Sequence, residues 1–135
     1  MIFFDTNVMV YSTVLLDTQK QKISDKLIET AINEKTLSIS PLVLSEFIFV
    51  LSKLKIDSLL IDKSLSFYRP YVKYSIEPAL VFEAYELCKS LVNHKNINDA
   101  IHLKFAEKHC SKIVTFDGDF KLFKNHTTIE ISICN

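Results

Sequence analysis

Residues 2–7 read IFFDTN, three apolar residues running into an aspartate, a threonine and an asparagine. Ile-Phe-Phe has the composition of a short buried strand, so the segment raises the question of why a carboxylate stands where the strand ends. KIVTF (112–116) repeats the arrangement: a β-prone run followed by Asp117, Gly118 and Asp119. Short β runs separated by helices predict an α/β domain with a mostly parallel central sheet. In such sheets the ligand crevice lies beyond the carboxyl ends of the strands. Asp5 and Asp117 are therefore candidates for one crevice.

The stretch between them alternates. Ile23, Leu27, Ile28, Ala31 and Ile32 form a helical stripe over about 20–35, and LSIS (37–40) reads as a short strand. Ser40-Pro41 then has the form of an N-cap with proline at the first helical position. It opens a helix to about Lys53, with a second helical stretch at 58–68 and a further strand expected at 71–75. Pro78 opens a helix carrying Val81, Ala84, Tyr85, Cys88, Leu91 and Val92 on one stripe. A last helix is expected from about Asn98 to His109, capped by Asn96 or Asn98, and TTIEISI (127–133) alternates as a strand does. No repeat, linker or low-complexity tract interrupts the chain, which reads as a single domain over 1–135.

Composition removes many classes. Gly118 is the only glycine, which excludes both the GxGxxG and the GxxxxGK[ST] phosphate-binding loops. Neither a GxSxG elbow nor an HExxH zinc pair is present. No apolar run approaches a membrane span, and Asp5 comes too early for a signal peptide, so a cytoplasmic protein without a membrane partner is expected. Cys88, Cys110 and Cys134 are odd in number and lack paired spacing, which predicts free thiols. Sixteen basic residues balance sixteen acidic ones. Setting aside Asp5, Glu46, Asp99, Asp117 and Asp119 leaves an excess of five positive charges, nearly all of them lysine, with Arg69 the one arginine. A polyanion would thus be held mainly by its backbone.

Those five acids belong together on chemical grounds. From Leu42 to Leu51 only Ser45 and Glu46 are polar, so Glu46 sits in a helix expected to be buried on nearly every face. There a carboxylate has to be neutralised, paired or bound to a metal. FIFVL (47–51) could also serve as a dimer or partner surface, although core burial is the more economical account. Asp99 falls in the first turn of its helix, where the dipole favours a negative charge, and His102 follows three residues on, within reach of a phosphate. Asp117 and Asp119 crowd two charges into one turn. Carboxylates gathered in one cleft raise each other's pKa unless a cation offsets them. Oxygen donors select Mg²⁺ or Mn²⁺, and such an ion suits metal-assisted phosphodiester hydrolysis.

The ordered set DTNV (5–8), SPLVLSEF (40–47), NDAIH (98–102) and TFDGDF (115–120) resembles the PIN-domain ribonucleases, in detail the VapC-like toxins of type II toxin–antitoxin modules. The resemblance implies a three-layer α/β/α sandwich around four or five mostly parallel strands. It implies that Asp5, Glu46, Asp99 and Asp117 bind Mg²⁺ or Mn²⁺, with Asp119 at a position where a further acid is often found. Thr6, Asn7 and Thr115 match polar positions that orient the acids, while Glu46 either holds metal or acts as a base. Lys121, Lys124 and His102 are the candidates for contact with RNA phosphates. An RNA substrate, a homodimer and a small cognate antitoxin are the implied partners. Two rival readings follow from the same residues: a PIN-like module that binds nucleic acid without cutting it, and a haloacid-dehalogenase-like phosphatase. The second wants an aspartate two residues after the first, where this chain has Asn7.

Overall fold

Phe4 lies opposite Val114 in neighbouring parallel strands, and that register brings the two strand ends, with their acids, to one edge of the sheet. The computed structural model describes residues 1–91 and 96–135. Four strands form one sheet: β1 (Ile2–Phe4), β2 (Leu37–Ser38), β3 (Lys112–Thr115) and β4 (Glu130–Ile133). Their order is β2-β1-β3-β4, and every pairing is parallel. β1 and β3 are therefore the interior strands. Around the sheet stand α1 (Thr6–Thr13), α2 (Thr18–Asn33), α3 (Pro41–Lys53), α4 (Ser58–Tyr68), α5 (Pro78–Ser90) and α6 (Ile97–His109). The architecture is the expected α/β/α sandwich. Phe3, Phe4, Ile113 and Val114 are almost fully buried, as strands covered on both faces require.

Helix α1 was not anticipated. Its sequence, TNVMVYST, is rich in β-branched residues and has no amphipathic period, so pattern reading passes over it. The available signal was Asp5 itself, which is extended and accepts the Thr6 amide proton at 2.7 Å as the helix N-cap. One residue thus ends the strand and starts the helix. Ser40 caps α3 through the Val43 amide, with Pro41 at the first position, and Asn96 caps α6 through the Asn98 amide, both as predicted.

With one glycine available, the chain ends two helices on lysine. Lys35 and Lys55 have φ of 59° and 58°. After α2, Thr36 N–H bonds to Ala31 O and Lys35 N–H to Ile32 O; after α3, Ile56 and Lys55 bond likewise to Leu51 and Ser52. These are Schellman closures, in which a left-handed residue satisfies the last carbonyls. The first one turns the chain directly into β2.

Two expectations need correction. Residues 71–75 are not a strand: a 3-10 turn covers Arg69–Tyr71, and a single backbone bond, Ile39 N–H to Tyr71 O, joins the segment to the end of β2. Pro70 lies within that turn, and Tyr74 instead stacks its ring on His109 at 4.1 Å. Nor is α3 buried on every face. Val43, Phe47 and Leu51 enter the core, but Ile48 and Phe49 are exposed. The last strand is shorter than its alternating sequence, spanning Glu130–Ile133. On α5 the predicted stripe runs on to Val92, which lies outside the described residues. All three cysteines are free thiols. Among the described residues no helix is long and apolar enough to cross a membrane.

Candidate active site

The site grows from the ends of β1 and β3. Thr115 stands beside Asp5 because the strands pair in register, and its hydroxyl donates to Asp5 Oδ2 at 2.7 Å. The same oxygen accepts the Asp117 amide proton at 2.9 Å and an Asn7 Nδ2 proton at 3.3 Å. One hydroxyl, saturated as donor and acceptor, ties the first acid to the backbone of the last. Asn7 completes the brace, with Oδ1 accepting the Phe116 amide proton at 3.2 Å and Nδ2 3.4 Å from Asp5 Oδ2. Thr6 turns elsewhere: its hydroxyl donates to Glu46 Oε1 at 2.5 Å.

Glu46 comes in from α3 and is held by three residues of two other helices, α1 and α6. Besides Thr6 it accepts a proton from Asn98 Nδ2 at 3.1 Å on Oε2, and His102 Nε2 lies 2.9 Å from Oε1. His102 is also 3.9 Å from Asp5 Oδ1. Asn98, which sequence reading treated only as a possible cap, lines the cleft and donates to Glu46; its place beside Asp99 in the acid motif was the clue. Asp5, Glu46, Asp99 and Asp117 all line one cleft of about 630 Å³. One turn further along α1 and α3 the same cleft is walled by Val10 and Tyr11, which the sequence reading did not single out, and by Phe49 and Val50 of the FIFVL stretch.

Other candidates fall outside this cleft. Asp119 is exposed and does not line the cleft; its backbone N–H donates to Asp117 Oδ1, so Asp117 caps the 3-10 segment in which Asp119 lies. Lys121 and Lys124 are exposed on that segment. His102 does not face a phosphate position as expected. It is 1% exposed, packed on the Phe3 ring, and its Nδ1 has no partner among the described residues. Asp99 and this histidine share a face of α6, but that face turns inward at residue 102.

The charges are strongly coupled. Burial pushes the Asp99 carboxyl up to about 7, with Asp5, Asp117 and Glu46 adding repulsion. Burial likewise raises Asp5, against the hydrogen bonds from Thr115 and the Thr6 amide. Glu46 goes the other way: burial alone would raise it, but its bonds from His102, Thr6 and Asn98 hold it below the usual carboxylate range. Burial opposes a charged His102, and the bond to Glu46 with the charges of Asp5 and Asp99 outweighs that and raises it. His102 therefore acts as the internal counterpart of Glu46. Replacing it by leucine is expected to lower stability by about 1–3 kcal/mol in chelator, because Glu46 loses a donor. His102→Gln, which keeps an N–H at that reach, should recover most of the loss; urea unfolding of the two variants measures the difference.

A four-stranded parallel α/β/α sheet whose strand ends and flanking helices bring four carboxylates into one cleft defines an acidic site of the nuclease-like kind. The PIN domain family matches this chain over residues 2–125, and the chain belongs to that family. Among solved structures it is similar to VapC20 of Mycobacterium tuberculosis, a sarcin-ricin loop cleaving toxin. The TM-score is 0.71 at 18% identity, over 92% of this chain and 95% of that one. It is also similar to VapBC2 of Rickettsia felis, bound to a DNA fragment from its promoter. There the TM-score is 0.69 at 21% identity, over the full length of both chains. No curated protein sequence matches significantly. The fold is thus shared with VapC toxins.

Proposed function

We propose that the chain is a metal-dependent endoribonuclease and the toxin of a type II toxin–antitoxin module. The observation that carries the reading is the convergence of Asp5, Glu46, Asp99 and Asp117 on one cleft, with the buried His102 the one ion-pair partner of these acids among the described residues. These donors fit a hard divalent cation: they are oxygens, and burial together with repulsion from Asp5, Asp117 and Glu46 pushes the Asp99 carboxyl up to about 7. Asp5, Asp99, Asp117 and Glu46 would hold Mg²⁺ or Mn²⁺. When bound, such an ion offsets charge on the scissile phosphate and acidifies the attacking water.

The chain's own residues have separate tasks. Thr115 and Asn7 fix the oxygens of Asp5, and Thr115 also anchors the Asp117 backbone. Three hydrogen bonds keep Glu46 ionised and weakly basic, which supports a holding role for it over that of general base. In-line attack by water leaves a 5′-phosphate and a 3′-hydroxyl. Lys121 and Lys124, exposed beyond Asp117, are placed for RNA phosphates outside the cleft. Partners in this reading are RNA, a second copy of the chain and a small antitoxin; the complex of VapBC2 with promoter DNA supports the module as a class.

Incubation of single-stranded RNA with the purified chain tests this. Cleavage is expected with Mg²⁺ or Mn²⁺, should stop in chelator, and should vanish in Asp99→Ala; expression of the wild type, but not of that variant, should arrest growth. Cleavage that persists in chelator overturns the metal assignment. Absence of cation binding in calorimetry would instead favour the non-catalytic module.

A further inference from the structure

The cleft is only partly acidic, and its apolar part has an unusual edge. Phe49 stands one helical turn beyond Glu46 on α3 and is 65% exposed, although Val43, Phe47 and Leu51 already supply that helix's core contacts. Lys53 Nζ lies 6.0 Å from its ring centre. On the α1 side Tyr11 lines the same cleft one turn beyond Asn7. Its ring meets Phe116 edge-on at 5.1 Å, and Lys20 Nζ sits 4.9 Å from the one ring centre and 5.6 Å from the other. Two lysine–aromatic pairs therefore flank the acids, one on each wall.

Resting on the nuclease reading, we propose that Phe49 with Lys53 is a stacking platform for the base next to the scissile phosphate. Tyr11 and Lys20 form the opposite rim, and the platform restricts the substrate to unpaired nucleotides. A phosphate over the acids obliges the adjoining nucleotide to pass along α1 or α3, and a turn of helix, 5.4 Å, is comparable to one nucleotide step. An exposed aromatic face takes any base, and a neighbouring ammonium takes its phosphate. In a duplex the base faces are already covered, so a paired strand cannot use the platform. A purely apolar protein segment would satisfy Phe49 and the exposed Leu16, which lines the same cleft, but would offer no anion to the two ammonium groups.

Phe49 contributes nothing to the core, so Phe49→Ala should fold normally. On a single-stranded RNA this variant is expected to raise KM about tenfold with kcat nearly unchanged, the size of one base–aromatic stack. Phe49→Tyr should restore the wild-type KM. On the same RNA made abasic beside the cleavage site, wild type and Phe49→Ala should have equal KM. An unchanged KM in Phe49→Ala, or an equal loss on the abasic strand, overturns the platform. Fluorescence of a single-stranded RNA carrying 2-aminopurine at that position, read in chelator, gives an answer independent of cleavage. Quenching by the wild type that is lost in Phe49→Ala supports the platform even if the wild type cuts no RNA, the outcome that would remove the nuclease reading alone. No quenching by the wild type overturns it and leaves the shelf as a face for a protein segment.

Discussion

Asp5→Asn is expected to reduce RNA cleavage by about a thousandfold or more, the scale on which preorganised charge at a reacting phosphate operates, while the melting temperature holds or rises. The two halves of this expectation have different causes. Asparagine has the same shape, remains a good N-cap for the Thr6 amide, and can present a donor or an acceptor to the Thr115 hydroxyl. The fold therefore loses little. It also gains, because Asp5 is 6% exposed and burial already disfavours its charge. What disappears is the anionic oxygen that a divalent ion needs. Melting scans beside a cleavage time course separate the two effects. Full activity in a folded variant would sink the assignment of Asp5, and a collapse in melting temperature would show it to be a structural residue instead.

In chelator the stability of the chain should fall as pH rises from about 5 to 8. Asp99 titrates at about 7 when folded against 3.8 as its ordinary value, so between these limits the folded state binds a proton that the unfolded state does not. Raising the pH through that window favours unfolding. Asp5 is shifted in the same direction. His102 adds to the trend, since a raised imidazole pKa gives stability that is present at low pH and lost as the group deprotonates. Glu46 has the opposite sign, but its contribution is lost only as pH falls below the ordinary glutamate range, outside this window. The Asp99 displacement alone corresponds to at most about 4 kcal/mol, and its partial contact with solvent reduces this to about 1–2 kcal/mol. Mn²⁺ supplies the missing positive charge, so its stabilising effect should grow from pH 5 to pH 8. Urea unfolding at three pH values, with chelator and with Mn²⁺, measures both slopes. A flat profile in chelator would mean that burial and the neighbouring acids do not raise the Asp99 and Asp5 carboxyls.

Much of this was legible because the acids break local patterns. Asp5 and Asp117 follow apolar strands, and Glu46 interrupts an apolar helix; each departure from periodicity is visible without a structure. Less visible was everything that depends on where a helix faces. α3 reads as apolar all round, yet Ile48 and Phe49 face outward, because hydrophobic composition does not say which side of a helix meets the sheet. His102 is three residues from Asp99 and shares its face, but spacing could not tell that one points into the cleft while the other lies behind Glu46. Helix α1 was hidden by its β-branched residues, and 71–75 looked like a strand for the same reason in reverse: Tyr and Val favour extended structure only when a ladder partner exists. Asp119 was drawn into the acid group by proximity in sequence, whereas its backbone amide, rather than its side chain, meets Asp117.

The bond from Thr115 to Asp5 spans 110 residues. Thr115 ends one interior strand and Asp5 directly follows the other, and β1 gains its β3 neighbour only when residues 112–115 have arrived. During synthesis the chain therefore carries Asp5 and Glu46 long before it has the strand that seats the first of them. Contacts of such sequence separation form late, because loop closure precedes any reward from pairing. The reactive arrangement is accordingly an all-or-nothing property of the finished sheet. Until residues 112–115 have been made, Asp5 lacks its Thr115 partner and the cleft cannot assemble.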